Sequence, residues 1–106
     1  MVDPKVVSIV KNYLTAVTGQ GLQVSRAFIY GSQVRGTAGP ESDIDLLIVS
    51  PSFDQEIDKY LGILWEGEFR CQHKIEPYPV GEMRFQNDDS SPLIAVVKEE
   101  GVEVEV

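Results

Sequence analysis

One stretch constrains the fold more than any other, the run DIDLLIVS from Asp43 to Ser50. Its second half, residues 46–49, is apolar at every position, so a strand there would be apolar on both faces. Such a strand is stable only when it is covered on both sides, which predicts a central, buried position in a sheet. Pro51 ends it, because proline has no amide to donate to a ladder.

The rest of the chain predicts the other elements of a small α/β domain. Helices are expected at 3–18, with Asp3 as N-cap and Pro4 in the first turn, at about 54–65, and from Pro92 to the stop at Gly101. Strands are expected at 24–30 and 70–78, with a candidate last strand in the alternating tail 102–106. A helical turn is expected at 33–37 and polar loop at 82–90, and Pro77 and Pro79 predict that the third strand ends at a sheet edge.

Apolar residues at helical spacing predict which side chains face the core. In the three helices these are Val6, Ile9, Val10, Tyr13, Leu14 and Val17, then Ile57, Tyr60, Leu61, Leu64 and Trp65, then Leu93, Ile94, Val96 and Val97. The order is helix, strand, strand, helix, strand, helix and a candidate strand, which is typical of an α/β fold.

Length and charge limit the range of functions. The 106 residues suit one domain, expected to span 1–106, and no apolar run approaches membrane-spanning length. The single cysteine, Cys71, excludes an internal disulfide and favours a cytoplasmic setting. A formal net charge of −8 makes nucleic acid a poor partner, since phosphate contacts need Lys and Arg. Cations or a basic protein surface are better partners.

A pair of acids precedes the apolar run. Asp43 and Asp45 are two residues apart on the predicted strand, so their side chains point to one face. Adjacent carboxylates repel each other, are costly to desolvate, and come from a residue type that strands disfavour. A divalent cation would compensate them, and Mg²⁺ prefers one or two carboxylates together with waters and phosphates.

A glycine and a serine follow the preceding strand. Gly31 permits a sharp turn and close approach of a ligand, and Ser32 adds a hydroxyl donor. If a helix begins here, its first amides favour an anion such as phosphate. Arg35 could add donors to the same anion.

Taken together, Gly31-Ser32, ten residues, and then Asp43-Ile44-Asp45 before an apolar run resemble the signature of the polymerase-β-like nucleotidyltransferase superfamily. The segment GSQVRGTAGPESDIDLLIV resembles its smallest branch, the minimal nucleotidyltransferases of the MNT antitoxin type. The resemblance extends over nearly the whole chain, and it implies the nucleotidyltransferase fold, a small mixed sheet with flanking helices.

The resemblance implies a role for each matching residue. Gly31 and Ser32, with Arg35 and Ser42 beside them, would bind the triphosphate, and Asp43 and Asp45 would bind Mg²⁺, with two ions expected. Family members carry a third carboxylate on the next strand, which contacts one metal ion and helps to deprotonate the attacking hydroxyl. Glu76 is the best match, although Pro77 follows it where a plain apolar residue is usual.

The implied activity is transfer of AMP from ATP to a hydroxyl, with release of pyrophosphate. The chain has no length to spare for an acceptor-binding domain, so the expected acceptor is a protein. The resemblance points to a HEPN-type helical partner toxin, which would make this chain its antitoxin. The alternative is a non-catalytic module that neutralises a partner by complex formation. The tail 102–106 and the proline-broken strand are candidate edges for a partner or a second copy.

Several residues have plainer interpretations. Ser42 could cap the entry to the second strand, Arg35 could be a solvated loop residue, and Glu76 could be an exposed edge-strand acid. His73 is predicted to be a packed or surface histidine, and Cys71 a buried apolar residue. Asp88 and Asp89 are predicted to solvate a loop.

Overall fold

The computed structural model describes residues 2–39, 42–71, 75–88 and 90–106. Its helices are α1 (Pro4–Gly19), α2 (Ser32–Arg35), α3 (Ile57–Cys71), α4 (Glu82–Asn87) and α5 (Pro92–Glu100). Its strands are β1 (Arg26–Tyr30), β2 (Ile44–Ser50), β3 (Ile75–Gly81) and β4 (Val102–Val104), and a short 3₁₀ turn follows β2 at Pro51–Asp54. Within the described residues, no helix is both long and apolar enough to cross a bilayer.

The four strands form one mixed sheet in the order β3-β2-β1-β4. β2 lies parallel to β3, and β1 lies antiparallel to both β2 and β4. The apolar strand β2 is therefore internal, as its sequence predicts, and β3, which carries Pro77 and Pro79, is an edge strand. The predicted α/β fold with a mixed sheet and flanking helices is confirmed.

Alternate residues of the sheet pack into two separate cores. On one face Ile29, Leu46 and Ile48 pack with the apolar sides of α1 and α3. On the other face Phe28, Leu47 and Val49 pack with Phe85 of α4 and with α5. Both cores are needed because β2 is apolar on both of its faces.

The start of α1 is confirmed as predicted. Asp3 is the N-cap, its Oδ1 accepting a hydrogen bond from the Lys5 amide at 2.8 Å, and Pro4 occupies the first turn. Val10, Tyr13, Leu14 and Val17 are buried, whereas Val6 and Ile9 at the start of the helix are only partly covered.

The third helix and the third strand differ from their predicted limits. α3 continues through Gly67 to Cys71, and β3 begins at Ile75, so Arg70 belongs to the helix and not to the strand. A glycine inside a helix costs only about 1 kcal/mol relative to alanine, and here that cost does not end the helix. The predictions for the Cys71 side chain, for His73 and for Asp89 lie outside the described part of the structure.

Residues 82–87 form the helix α4 instead of the predicted polar loop. A six-residue helix with one buried side chain, Phe85, shows no apolar periodicity that a sequence could reveal. Among the predicted core residues, Trp65 is 64 % exposed, Val96 38 % and Ile57 38 %. Their helices meet the sheet through narrower stripes centred on Leu64 and on Ile94 with Val97.

Candidate active site

The sheet register brings the candidate acids together at one end of the sheet. Asp45 stands opposite Tyr30 of β1 on one side and opposite Glu76 of β3 on the other. Since neighbouring strands are about 4.8 Å apart, the side chains of such a row are in reach of one another. Asp43 directly precedes β2 and interacts with both Asp45 and Glu76. The structure thus places Asp43, Asp45 and Glu76 in one acidic cluster.

Crowding raises the affinity of this cluster for protons. Burial raises the pKa of Asp45 above its ordinary value, and the charge of Asp43 raises it further, while a hydrogen bond from Glu76 and the charge of Arg35 act in the opposite direction. The pKa of Glu76 is raised, first by a hydrogen bond and charge interaction with Asp43 and then by burial and Asp45. The two raised pKa values indicate a cluster that is short of positive charge.

Gly31 allows the β1–α2 turn to pass directly beside Asp45. Its φ is +77°, a conformation that side-chain-bearing residues rarely adopt. A Cβ at this position would also collide with Asp45 Oδ2. Glycine is thus required twice here, for the backbone conformation and for room next to the carboxylate.

The turn leads into a single helical turn whose first amides are not used within it. The Val34 and Arg35 amides donate to the Gly31 carbonyl at 3.0 and 3.1 Å. The amides of Ser32 and Gln33 lie in the first turn of α2, where the helix has no earlier carbonyl to accept their hydrogen bonds. Val34 packs against the core and anchors the turn, so these amides and the Ser32 hydroxyl are available beside Asp45. With only four residues, α2 has a small dipole. A phosphate at this turn would therefore be bound mainly by hydrogen bonds from the amides and the hydroxyl.

The remaining candidate residues, Arg35 and Ser42, have partners within the chain. Arg35 Nη1 lies 3.4 Å from Glu100 Oε1 at the end of α5, and its charge still acts on Asp45. Ser42 Oγ accepts the Gly39 amide at 2.8 Å, and the Ser42 amide donates to the Gly39 carbonyl at 3.1 Å. Ser42 therefore closes the loop that leads into β2, a structural contact that is compatible with the predicted role but does not require it.

Two residues of the site are not evident from the sequence. Tyr30 lies in the row of Asp45 and Glu76, and burial, followed by the charges of those acids, raises its pKa to about 12. Gln33 Nε2 donates to the Asp43 carbonyl at 3.4 Å and links α2 to the start of β2. Tyr30 directly precedes Gly31, but only the β1–β2 register shows that it stands beside Asp45.

The acid cluster is open in form. Within the described ranges, no three His, Cys, Asp or Glu side chains converge into a preformed metal cage. Mg²⁺ seldom uses such a cage, because it is usually bound by one or two carboxylates together with waters and the phosphates of a substrate. An open group of acids, of which Asp45 and Glu76 have raised pKa values, next to amides and a hydroxyl, fits an ion that arrives with a phosphate ligand.

Comparison with known proteins bears on the family and the fold of the chain. Residues 10–103 match the family model described as the nucleotidyltransferase domain. A crystal structure of a candidate nucleotidyltransferase from Sulfolobus solfataricus is similar to the chain, with a TM-score of 0.61, 17 % identity, and coverage of 93 % of this chain and 78 % of that one. A crystal structure of a toxin–antitoxin with AMP-PNP has a TM-score of 0.60, 13 % identity, and coverage of 90 % and 72 %. No curated protein matches the chain in sequence.

Proposed function

The chain belongs to the nucleotidyltransferase domain family, and from that premise we propose that it transfers AMP from ATP to a hydroxyl group of a partner protein. The observation that carries the proposal is the cluster of Asp43, Asp45 and Glu76 beside the glycine turn at Gly31. Carboxylates would hold Mg²⁺ on one side of the site, and amides and a hydroxyl would hold phosphate on the other.

The sheet gives this reaction a direction. An in-line displacement at the α-phosphorus needs the leaving pyrophosphate and the attacking oxygen on opposite sides. Gly31 and Ser32, at the end of β1, lie on one side of Asp45, and Glu76, on the edge strand β3, lies on the other. The pyrophosphate would therefore leave toward α2, and the acceptor would enter at the open β3 edge.

Each group in the site has a defined part in the transfer. The acceptor oxygen forms a bond to the α-phosphorus, the bond between that phosphorus and the bridging oxygen breaks, and pyrophosphate leaves with the electron pair. Glu76, an exposed residue on the edge strand β3, would take the proton of the acceptor hydroxyl. Asp43 and Asp45 would hold two Mg²⁺ ions, which supply charge stabilisation to both oxygens when bound.

The nature of the acceptor follows from charge and from resemblance. The chain has a net charge of −8, which favours a basic protein surface over nucleic acid as partner. The fold is shared with a structure of a toxin–antitoxin with AMP-PNP. We therefore propose a HEPN-type helical toxin as the partner, modified on a side-chain hydroxyl such as tyrosine, with this chain as its antitoxin.

A transfer assay tests the proposal. The protein is incubated with α-labelled ATP, Mg²⁺ and the product of a neighbouring gene for a helical protein. We expect label on that protein, and no label with Asp43→Asn or Asp45→Asn. Stable complex formation without label would instead favour the non-catalytic binding module.

Substitution of Glu76 separates chemistry from binding. We expect Glu76→Gln to abolish transfer while Mg·ATP still binds, because the variant lacks the base but retains Asp43 and Asp45. Binding is measured by thermal denaturation, since a ligand at a hundred times its dissociation constant adds roughly 2.7 kcal/mol to the free energy of unfolding. Full transfer by Glu76→Gln would remove Glu76 from the site.

A further inference from the structure

An ion pair joins the phosphate side of the proposed site to the end of a distant helix. Arg35 Nη1, at the end of α2, lies 3.4 Å from Oε1 of Glu100, the last residue of α5. The two residues are 65 positions apart in the chain, so the contact exists only because the fold brings α5 to this end of the sheet. Both side chains are accessible to solvent, at 56 % and 40 % exposure.

Arg35 is well placed to meet a triphosphate. It follows Gly31-Ser32 on the same helical turn, and it is the basic side chain whose charge acts on Asp45. A guanidinium prefers phosphate oxygens because it can offer two parallel donors to them. In the structure, one of its terminal nitrogens is engaged by Glu100 instead.

We infer that Glu100 is a positioning residue that competes with the triphosphate for Arg35 and thereby weakens nucleotide binding. This inference rests on the proposed function. Bound Mg·ATP takes over the Arg35 guanidinium, and the carboxylate of Glu100 is left in solvent. Glu100 also adds a negative charge near a site that already has three acids, so both effects oppose binding of an anion.

The size of the effect follows from the exposure of the pair. Exposed ion pairs contribute about 0.2–1 kcal/mol, which corresponds to a factor of roughly 1.4–5 in affinity. We expect the variant Glu100→Gln to fold as the parent does. An acid at a helix C-terminus is unfavourable to the helix dipole, and its neutralisation is tolerated there.

Residue Glu99 supplies a matched control. It lies in the same helix, one position earlier, it is exposed, and its change to Gln removes the same charge. No ion pair to Glu99 occurs among the residues with described positions. Any general effect of net charge is therefore the same in Glu99→Gln as in Glu100→Gln.

The test is calorimetric titration of the full chain with Mg²⁺ and the α,β-methylene analogue of ATP, which prevents turnover. We expect Glu100→Gln to bind about 2–5 times more tightly than the parent, with a smaller change for Glu99→Gln. In an Arg35→Ala background the additional effect of Glu100→Gln should vanish. The advantage should also shrink at high salt, because exposed charges are screened.

The possible results distinguish failure of the role of Glu100 from failure of the proposed function. Equal effects of the two glutamate variants, an excess of Glu100→Gln over Glu99→Gln that persists in Arg35→Ala, or weaker binding by Glu100→Gln would overturn the role of Glu100. Those results would leave the proposed function standing as long as the parent binds the analogue. Absence of binding by the parent would instead overturn the nucleotide site itself.

Discussion

At the scale of single residues, Gly31 combines two constraints that can be separated experimentally. Gly36 has φ +77° and ψ 17°, in the left-handed helical region, whereas Gly31 has φ +77° and ψ −144°, a conformation that is essentially restricted to glycine. A Cβ at Gly36 meets no atom within 4 Å, whereas one at Gly31 collides with Asp45 Oδ2. Alanine at Gly31 therefore combines a larger backbone cost, seen in the free energy of unfolding, with displacement of the Asp45 carboxylate, seen in nucleotide affinity.

We expect Gly36→Ala to lower the free energy of unfolding by roughly 1–2 kcal/mol and to leave Mg·ATP binding nearly unchanged. Gly31→Ala should have a larger backbone cost and should also displace Asp45, so nucleotide affinity falls sharply. Urea denaturation and calorimetric titration of both variants measure the two effects. Equal affinities in the two variants would contradict the assigned role of Gly31.

The acid cluster should cost the protein stability when no cation is bound. The folded-state pKa of Asp45 lies above its ordinary value of 3.8, so the folded state binds more protons than the unfolded state. Stability then falls as the pH rises from the unfolded pKa through the folded pKa. At neutral pH the ionised Asp45 is therefore destabilising.

We accordingly expect Asp45→Asn to raise the melting temperature at neutral pH in the absence of divalent cations. The gain should shrink in acid, where the parent carboxyl group is protonated. Glu105→Gln, an exposed change of the same charge, is the control and should have little effect. A lower melting temperature for Asp45→Asn at neutral pH would show that the acids do not repel each other as described.

The spacing of Gly31-Ser32 and Asp43-Ile44-Asp45 is visible in the sequence because both parts lie on consecutive elements. Tyr30 and Gln33 are not visible in the same way. The pairing of Tyr30 with Asp45 depends on the register of β1 and β2, and the Gln33 contact depends on how α2 packs. Both contacts depend on tertiary structure, and no local sequence pattern predicts them.

At the scale of elements, the junction between α4 and α5 depends on Asp88. Its Oδ1 accepts the Ser90 amide at 2.9 Å and the Ser91 amide at 3.1 Å, and Arg84 Nε donates to its Oδ2 at 3.2 Å. The hydrogen bonds from Ser90 and the bond from Arg84 lower the pKa of Asp88 to about 2. A residue predicted to solvate a loop is thus the acceptor that joins two helices.

This pKa shift gives a pH dependence with a defined sign. A depressed folded-state pKa stabilises the fold above the ordinary value of 3.8, and the contribution is lost as the pH falls toward about 2. Asp88→Asn keeps an acceptor oxygen but removes the titration. The variant should therefore show a weaker dependence of unfolding free energy on pH in this acidic window, measured by urea denaturation. An unchanged slope would exclude Asp88 as its source.

The start of a helix was predictable where a capping residue followed by proline marks it. Asp3-Pro4 marks the start of α1, and Ser91-Pro92 marks the start of α5, where Ser91 Oγ accepts the Ile94 amide at 3.3 Å. The end of α3 and the helix α4 were not predictable, because Gly67 is tolerated inside a helix and Phe85 is the one apolar anchor of α4. In α4 the stacking of Phe85 on Phe28, with ring centroids 5.3 Å apart, decides the structure.

At the scale of the whole molecule, charge and sheet edges indicate how a partner would approach. The chain carries 17 acidic and 9 basic residues, and one acid of the site, Glu76, is exposed on the edge strand β3. Pro77 and Pro79 remove two amide donors from that strand, which disfavours addition of another strand. The proposed acceptor would thus bind through side-chain contacts and charge interactions, and not by adding a strand to the sheet.

A complex between this acidic chain and the proposed basic partner surface should depend on ionic strength. We expect the association rate with the labelled acceptor to fall steeply as salt increases, while the dissociation rate changes less, because long-range charge mainly steers encounter. Surface plasmon resonance at several salt concentrations measures both rates. An association rate that does not respond to salt would contradict a basic docking surface.

The proposed reaction is attack of the acceptor hydroxyl on the α-phosphorus of ATP at the cluster of Asp43, Asp45 and Glu76 beside Gly31. The most direct measurement compares the label on the acceptor after parallel reactions with α-labelled and γ-labelled ATP. We expect label from the α-phosphate alone, with one pyrophosphate released per transfer and none with Asp45→Asn. Label from the γ-phosphate, or label that persists in Asp45→Asn, would contradict it.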